Sequence, residues 1–176
     1  MDIAAVISSS INHSVLEVFS TMLTVNLAPG EVLPGPGSEE SSEGVVSFIG
    51  LAGAWAGTGT VMCSAPMACR ICSQMLMTDA QSVDEEVLDA VAELTNIVIG
   101  SVKNELEPHL GPLGLSIPTV IFGRNFKTKS SAHAQWVVVR FGWDGEDFVV
   151  KLCMAPSEKP HLPHTIGQTE AVDVKL

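Results

Sequence analysis

The sequence predicts an α/β fold in which a β-sheet is packed with helices, one of them long and central. Three observations predict it. Val87, Val91, Leu94, Val98 and Val102 recur at helical spacing through residues 84–110, and polar residues fill the positions between them. Strand-like runs lie on both sides of that helix in the order helix, two strands, helix, helix, three strands. Hydrophobic residues make up 46% of 176 residues, enough for one sizeable core.

Residues 2–25 read as an amphipathic helix, with Val6, Ile7, Ile11, Val15, Val18, Phe19 and Met22 at helical spacing. The run Pro29–Gly44 is dense in Pro, Gly, Ser and Glu and reads as a loop that opens with a short strand. Val45–Leu51 and Ala54–Cys63 are strands joined near Gly53, and Ala65–Met77 is a second helix. Asp79 to Ser82 connect it to the central helix, for which Ser82 and Glu85 form a capping-box pair. Gly111 and Pro112 end that helix near Leu110. Strands follow at Ser116–Gly123, Ala134–Gly142 and Glu146–Met154, and Asp144-Gly145 marks a hairpin between the last two. Pro118 suits a first or edge strand position. The domain is drawn as residues 1–155, with 156–176 as an extension poor in apolar residues.

A net charge of −11 with scattered Lys and Arg makes nucleic acid a poor partner, because phosphate binding needs clustered Lys and Arg. The start Met1-Asp2-Ile3 lacks a basic n-region, so the protein is expected to be cytoplasmic and its four cysteines reduced. Cys69-x-x-Cys72 has zinc or redox spacing, but it lies in a helix with no second pair, and small buried hydrophobes fit better. Residues 44–69 carry no charge and are long enough to span a bilayer. Gly50, Gly53, Gly57 and Gly59 break the run, so a hairpin and a helix fit better and no membrane partner is expected. The histidines show no metal-ligand pattern beyond a weak His161-x-x-His164.

Chemistry concentrates on the polar face of the central helix. Asp89, Glu93, Asn96, Gly100, Lys103 and Glu107 fall opposite the apolar stripe. Glu93 can reach a cation, and Asn96 offers a donor and an acceptor to a water. Gly100 has no side chain, so another backbone can come close. Ile97 and Ile99 flank the stripe as apolar shoulders for a docking protein. An exposed helix carboxylate is common, whereas Asn at mid-helix is a poor helix former and asks for another reason. Lys103 reads more simply as a solvated lysine.

The run Ala92-Glu93-Leu94-Thr95-Asn96 followed by Ile99-Gly100-x-x-Lys103, with Leu115-Ser116-Ile117-Pro118-Thr119-Val120-Ile121-Phe122-Gly123 downstream, resembles the CheX branch of the CheC-like chemotaxis phosphatases. The similarity covers about residues 3–154. It implies the CheC-like two-layer fold and a hydrolase that acts on the phosphoaspartate of a response-regulator receiver domain. Asn96 of the Glu-x-x-Asn motif would orient the attacking water, and Glu93 would pair with the receiver's active-site lysine. The divalent metal would belong to the receiver, so no cofactor of the protein's own is expected. Glu17-x-x-Ser20 echoes a second motif of two-site relatives with Ser in place of Asn, which implies one active site per subunit. The resemblance also implies a homodimer formed through the sheets, with Trp136–Phe141 and Phe148–Met154 as the sticky edge guarded by Gln135, Arg140 and Lys151. The alternative is a catalytically silent receiver-binding or signalling interaction module of the same fold.

Overall fold

The computed structural model describes residues 2–34, 41–127 and 136–157. The chain runs α1 (Ile3–Met22), β1 (Glu31–Leu33), β2 (Ser41–Gly53), β3 (Trp55–Cys63), α2 (Ala65–Leu76), α3 (Glu85–Leu110), β4 (Leu113–Leu115), β5 (Thr119–Lys127), β6 (Trp136–Trp143) and β7 (Glu146–Pro156). The strands form one seven-stranded sheet in the order β1-β6-β7-β3-β2-β4, and β5 pairs with β2 beside β4. Every pairing is antiparallel. The buried stripes of the three helices and alternate residues of the strands, such as Val45, Ile49, Val61, Val139, Val150 and Leu152, merge into one core. This is the α/β arrangement expected, including a short strand at the start of the Pro29–Gly44 segment, with the short strand β4 added.

Local chemistry explains where the helices begin and end. The Asp2 carboxylate accepts from the amides of Ala4 and Ala5 and starts α1. Ser64 accepts from the Met67 amide at 3.2 Å and starts α2, and its hydroxyl donates to Glu146 at the head of β7. For α3 the cap is Asp84, whose carboxylate accepts from the Val87 amide at 3.0 Å. This corrects the expectation of Ser82: Asp84 directly precedes the first helical residue, so its short side chain reaches the free amides of the first turn. Glu85 and Glu86 add negative charge at the positive end of the helix. Gly111, at φ +81°, ends α3 by taking a backbone conformation that residues with a Cβ avoid.

Residues 44–69 are the β2–β3 hairpin and the first turn of α2, so the membrane-span reading of that segment falls. By length and composition α1 could cross a membrane. Here its apolar stripe of Ile7, Ile11, Val15, Val18 and Phe19 is buried in the core.

Aromatic contacts tie α1 to the far half of the sheet. Phe19 stacks on Phe148 at 4.9 Å between ring centroids, and Phe148 stacks on Phe141 at 5.3 Å. All three rings are buried, and burying each contributes about 1.5–3 kcal/mol. Arg70 of α2 lies over the Trp143 ring and donates to the Trp143 carbonyl at 2.9 Å. On the other half α3 comes down onto β3 at Gly59. A Cβ there would lie 2.9 Å from two atoms of the Ile99 side chain, so only glycine allows the helix so near.

The sheet edges differ from the expectation. β7 lies between β6 and β3, and β6 is covered along Val138, Val139 and Arg140 by β1. Arg140 forms an ion pair with Glu31 of that covering strand. Along these residues β6 is therefore not a free edge, because a three-residue strand from the α1–β2 connection pairs with it. β5, with Ile121 at 41% and Phe122 at 50% exposure, is the outer strand on the opposite side. Gln135, His161 and His164 lie outside the described residues.

Candidate functional site on the central helix

The 26 residues of α3 span about 39 Å at 1.5 Å per residue, so one side of the helix can serve the core along its whole length. Val87, Val91, Leu94, Val98 and Val102 are all buried, as their spacing predicts. Thr95 is also buried, its hydroxyl donating back to the Val91 carbonyl at 2.7 Å. This inward stripe turns Glu93 and Asn96 outward together. Glu93 is exposed and Asn96 is partly buried, three positions on along the same face. Among the described residues, neither side chain forms a hydrogen bond or an ion pair. The carboxylate is thus free to meet an external cation, and the amide is free to hold a water.

The neighbours of the pair divide into two kinds. Ile97 is partly buried against the core and borders the face. Ile99 is not a shoulder: it is wholly buried in the space above Gly59, because it lies on the inward side of the helix where α3 meets β3. Lys103 is turned away from Asn96 and forms an ion pair with Glu107 at 2.8 Å. The Glu107 carboxylate also accepts from the Leu113 amide at 2.9 Å, which locks the end of α3 to the start of β4. These two bonds hold the Glu107 carboxyl below its usual range, the backbone bond being the larger cause. Asp89 is exposed one turn before Glu93 and extends the acidic character of the face.

Two other features of the sequence do not join this site. Glu17 and Ser20 are both exposed on α1, but the Ser20 hydroxyl donates to the Glu17 carbonyl at 3.0 Å and is turned back onto its own helix. The four cysteines are free and buried. Burial pushes the Cys63 thiol up to about 12 and raises Cys69, Cys72 and Cys153 as well, which suits small apolar residues better than nucleophiles. What sequence reasoning missed is Leu115. It lies against Gly100 because β4 pairs with the distant β2, and no local pattern signals that contact.

The sequence model of the family described as "Chemotaxis phosphatase CheX" matches residues 45–142, more than half of the chain. The chain belongs to the CheX family. A relative from Thermotoga maritima, described as CheY-P phosphatase CheX, is 33% identical over 93 residues, which is 52% of this chain. That match spans 59% of the relative, less than two thirds of its length. Among solved structures, the chemotaxis protein CheX of Vibrio vulnificus superposes with a TM-score of 0.75 at 22% identity, covering 85% of this chain and 99% of that one. A CheC-like superfamily protein from a Shewanella species gives 0.72 at 24% identity, covering 88% and 99%. A CheX–CheY–BeF3–Mg complex from Borrelia burgdorferi gives 0.69 at 21% identity, covering 83% and 96%. At these identities the structural likenesses establish the CheC-like fold, with its antiparallel sheet packed against helices.

Proposed function

We propose that this protein hydrolyses the aspartyl phosphate of a response-regulator receiver domain, with Asn96 orienting the attacking water and Glu93 pairing with the receiver's lysine. The observation that carries the reading is the outward Glu93–Asn96 pair, bonded to nothing else among the described residues and set on the 26-residue helix α3 of a chain in the CheX family. The Thermotoga relative described as a CheY-P phosphatase and the Borrelia complex of CheX with CheY support a receiver as the partner.

The chemistry asks little of such a protein. Phosphoryl transfer depends on placing the nucleophile in line with the leaving oxygen and on neutralising charge. The receiver brings the phosphoryl group, the divalent metal and the lysine. The missing part is a water held opposite the leaving carboxylate. An amide can fix that water through its carbonyl oxygen and its NH2 group without competing for the proton. The Glu93 carboxylate fixes register, because a lysine paired to it sets the distance from Asn96 to the phosphorus. Asp89 and Glu93 together make the face attractive to a cationic group on the partner. No cofactor of the chain's own enters this scheme, and a cytoplasmic location follows from a receiver substrate. A homodimer joined along the β5 edge fits the same reading, since it leaves the outer face of α3 open in both subunits.

The test is phosphate loss from receiver domains of the same genome, phosphorylated with acetyl phosphate. The wild-type chain should accelerate decay of at least one of them. Asn96→Ala should lower that turnover by about 100-fold or more, because a misplaced water loses the in-line geometry. Its thermal midpoint should not fall, since the side chain supports no core contact and Ala is the better helix former. An Asn96→Ala variant with wild-type turnover would overturn the mechanism.

A further inference from the structure

We infer that Gly100 is a docking residue that sets which receiver the protein accepts: it keeps a bare strip of α3 against which a backbone segment of the receiver lies. The inference rests on the receiver reading above and names a further residue of that surface.

A glycine inside a helix normally has a reason within its own chain. Several glycines of the sheet have one. A Cβ at Gly57 would lie 1.9 Å from the Cys153 carbonyl, one at Gly53 2.2 Å from the Pro112 carbonyl, and one at Gly59 2.9 Å from Ile99. Gly111 and Gly145 hold positive φ angles of 81° and 80°. Gly100 has neither reason. It sits in the middle of α3 in ordinary helical conformation, and a Cβ there would meet only Leu115 Cδ1, at 3.7 Å, an ordinary van der Waals contact. The fold would accept alanine, and the helix would gain by it, because glycine leaves the unfolded chain more freedom and loses more on folding.

The surroundings show that the space is kept clear. Gly100 follows Asn96 by one turn on the same side of the helix and is partly exposed. Lys103, which could fold over it, is held toward Glu107 by the 2.8 Å ion pair and lies 3.3 Å from the Asn104 side chain. Leu115 forms one wall of the strip, and two residues further along the chain Ile117 is 86% exposed. This open strip lies one helical turn from the Asn96 site, which on the reading above approaches a phosphoaspartate. The occupant that suits it is main chain: a receiver loop bordering the phosphorylated residue, whose backbone can touch the helix only where no Cβ intervenes. Side chains at position 100 would then discriminate among receivers by the height of that loop.

The experiment uses the receiver that the wild-type chain dephosphorylates fastest, phosphorylated with acetyl phosphate, and compares Gly100→Ala and Gly100→Leu. Gly100→Ala should raise the thermal midpoint by about 2–4 °C, as an exposed helix glycine replaced by alanine does. KM should rise with side-chain size and reach about tenfold or more for Gly100→Leu, with kcat within about twofold of wild type, because docking is lost and the water remains placed. A Gly100→Leu variant that folds and keeps the wild-type KM overturns the inference. A Gly100→Ala variant that melts lower than wild type also overturns it, since the glycine then serves the fold. A wild-type chain that accelerates decay of no receiver overturns the phosphatase reading itself, an outcome separate from either variant result.

Discussion

His13 Nδ1 lies 2.6 Å from a carboxylate oxygen of Glu105, joining the middle of α1 to the second half of α3. The Ser14 hydroxyl donates to the same oxygen at 3.4 Å. The hydrogen bond and the charge of Glu105 raise the His13 pKa above 6.5, with a smaller contribution from Glu17. The sign of the pH dependence follows. A histidine whose folded pKa is raised contributes its stability fully below the unfolded value and loses it as pH rises through the folded value. His13→Gln should therefore lower the thermal midpoint at pH 6 and leave it nearly unchanged at pH 9. Melting curves of both proteins across that range are the check, and a difference independent of pH would show that the pair carries no linked proton.

Glu93→Gln keeps the size of the side chain and removes its charge. If Glu93 meets a receiver lysine, KM should rise more than kcat falls, and the rise should shrink as salt screens the pair. Steady-state kinetics on a phosphorylated receiver at low and high ionic strength give the answer. Equal losses in kcat and kcat/KM would place Glu93 in the chemical step instead.

Gly59→Ala should destabilise by about 1–3 kcal/mol, since the new methyl overlaps Ile99 where α3 meets β3. Ile99→Val in the same chain should recover part of the loss by making room. Chemical denaturation of the two single variants and the double variant measures the coupling.

Phe148→Ala should cost about 3–5 kcal/mol, because this ring is buried between Phe19 and Phe141 and holds α1 to the sheet. The same denaturation experiment reads it. A loss below about 1 kcal/mol would mean that the site collapses around the cavity.

The outer position of β5 leads to an expectation about assembly. Ile121 and Phe122 are each at least two-fifths exposed on this strand, at 41% and 50%. Sedimentation at micromolar concentration should give a dimer, and Phe122→Glu should shift it toward monomer by placing charge on the contact. A wild-type protein that sediments as a monomer would remove the dimer and leave the chemistry of α3 untouched.

The central helix was legible in the sequence because its signal is local. Five valines and leucines at helical spacing require one face to be buried, and that alone turns Glu93 and Asn96 outward. The Asp144-Gly145 turn was legible for a similar reason: both residues take positive φ, at 50° and 80°, as a tight hairpin demands. The cap of α3 is less legible, since Ser82 and Asp84 are both good capping types and only the position of the first turn chooses Asp84.

Other features had no local signal. Ile99 sits one residue from Gly100 and looks from the sequence like part of the outer rim, yet a glycine forty residues earlier admits it to the core. Strands Trp136–Trp143 and Glu146–Pro156 have the composition of an edge prone to association, but β1 pairs with one and β3 with the other. The helix stripe, the turns and the outward placement of the Glu-x-x-Asn pair follow from local sequence, because each depends on residues within a few positions of one another. The order of the strands, the covering of β6, the exposed edge at β5 and the wall that Leu115 sets beside Gly100 were decided by the tertiary structure. They depend on backbone hydrogen bonds between segments distant in sequence, and strand pairing is chosen by the packing of the whole sheet and not by the residues of either strand alone.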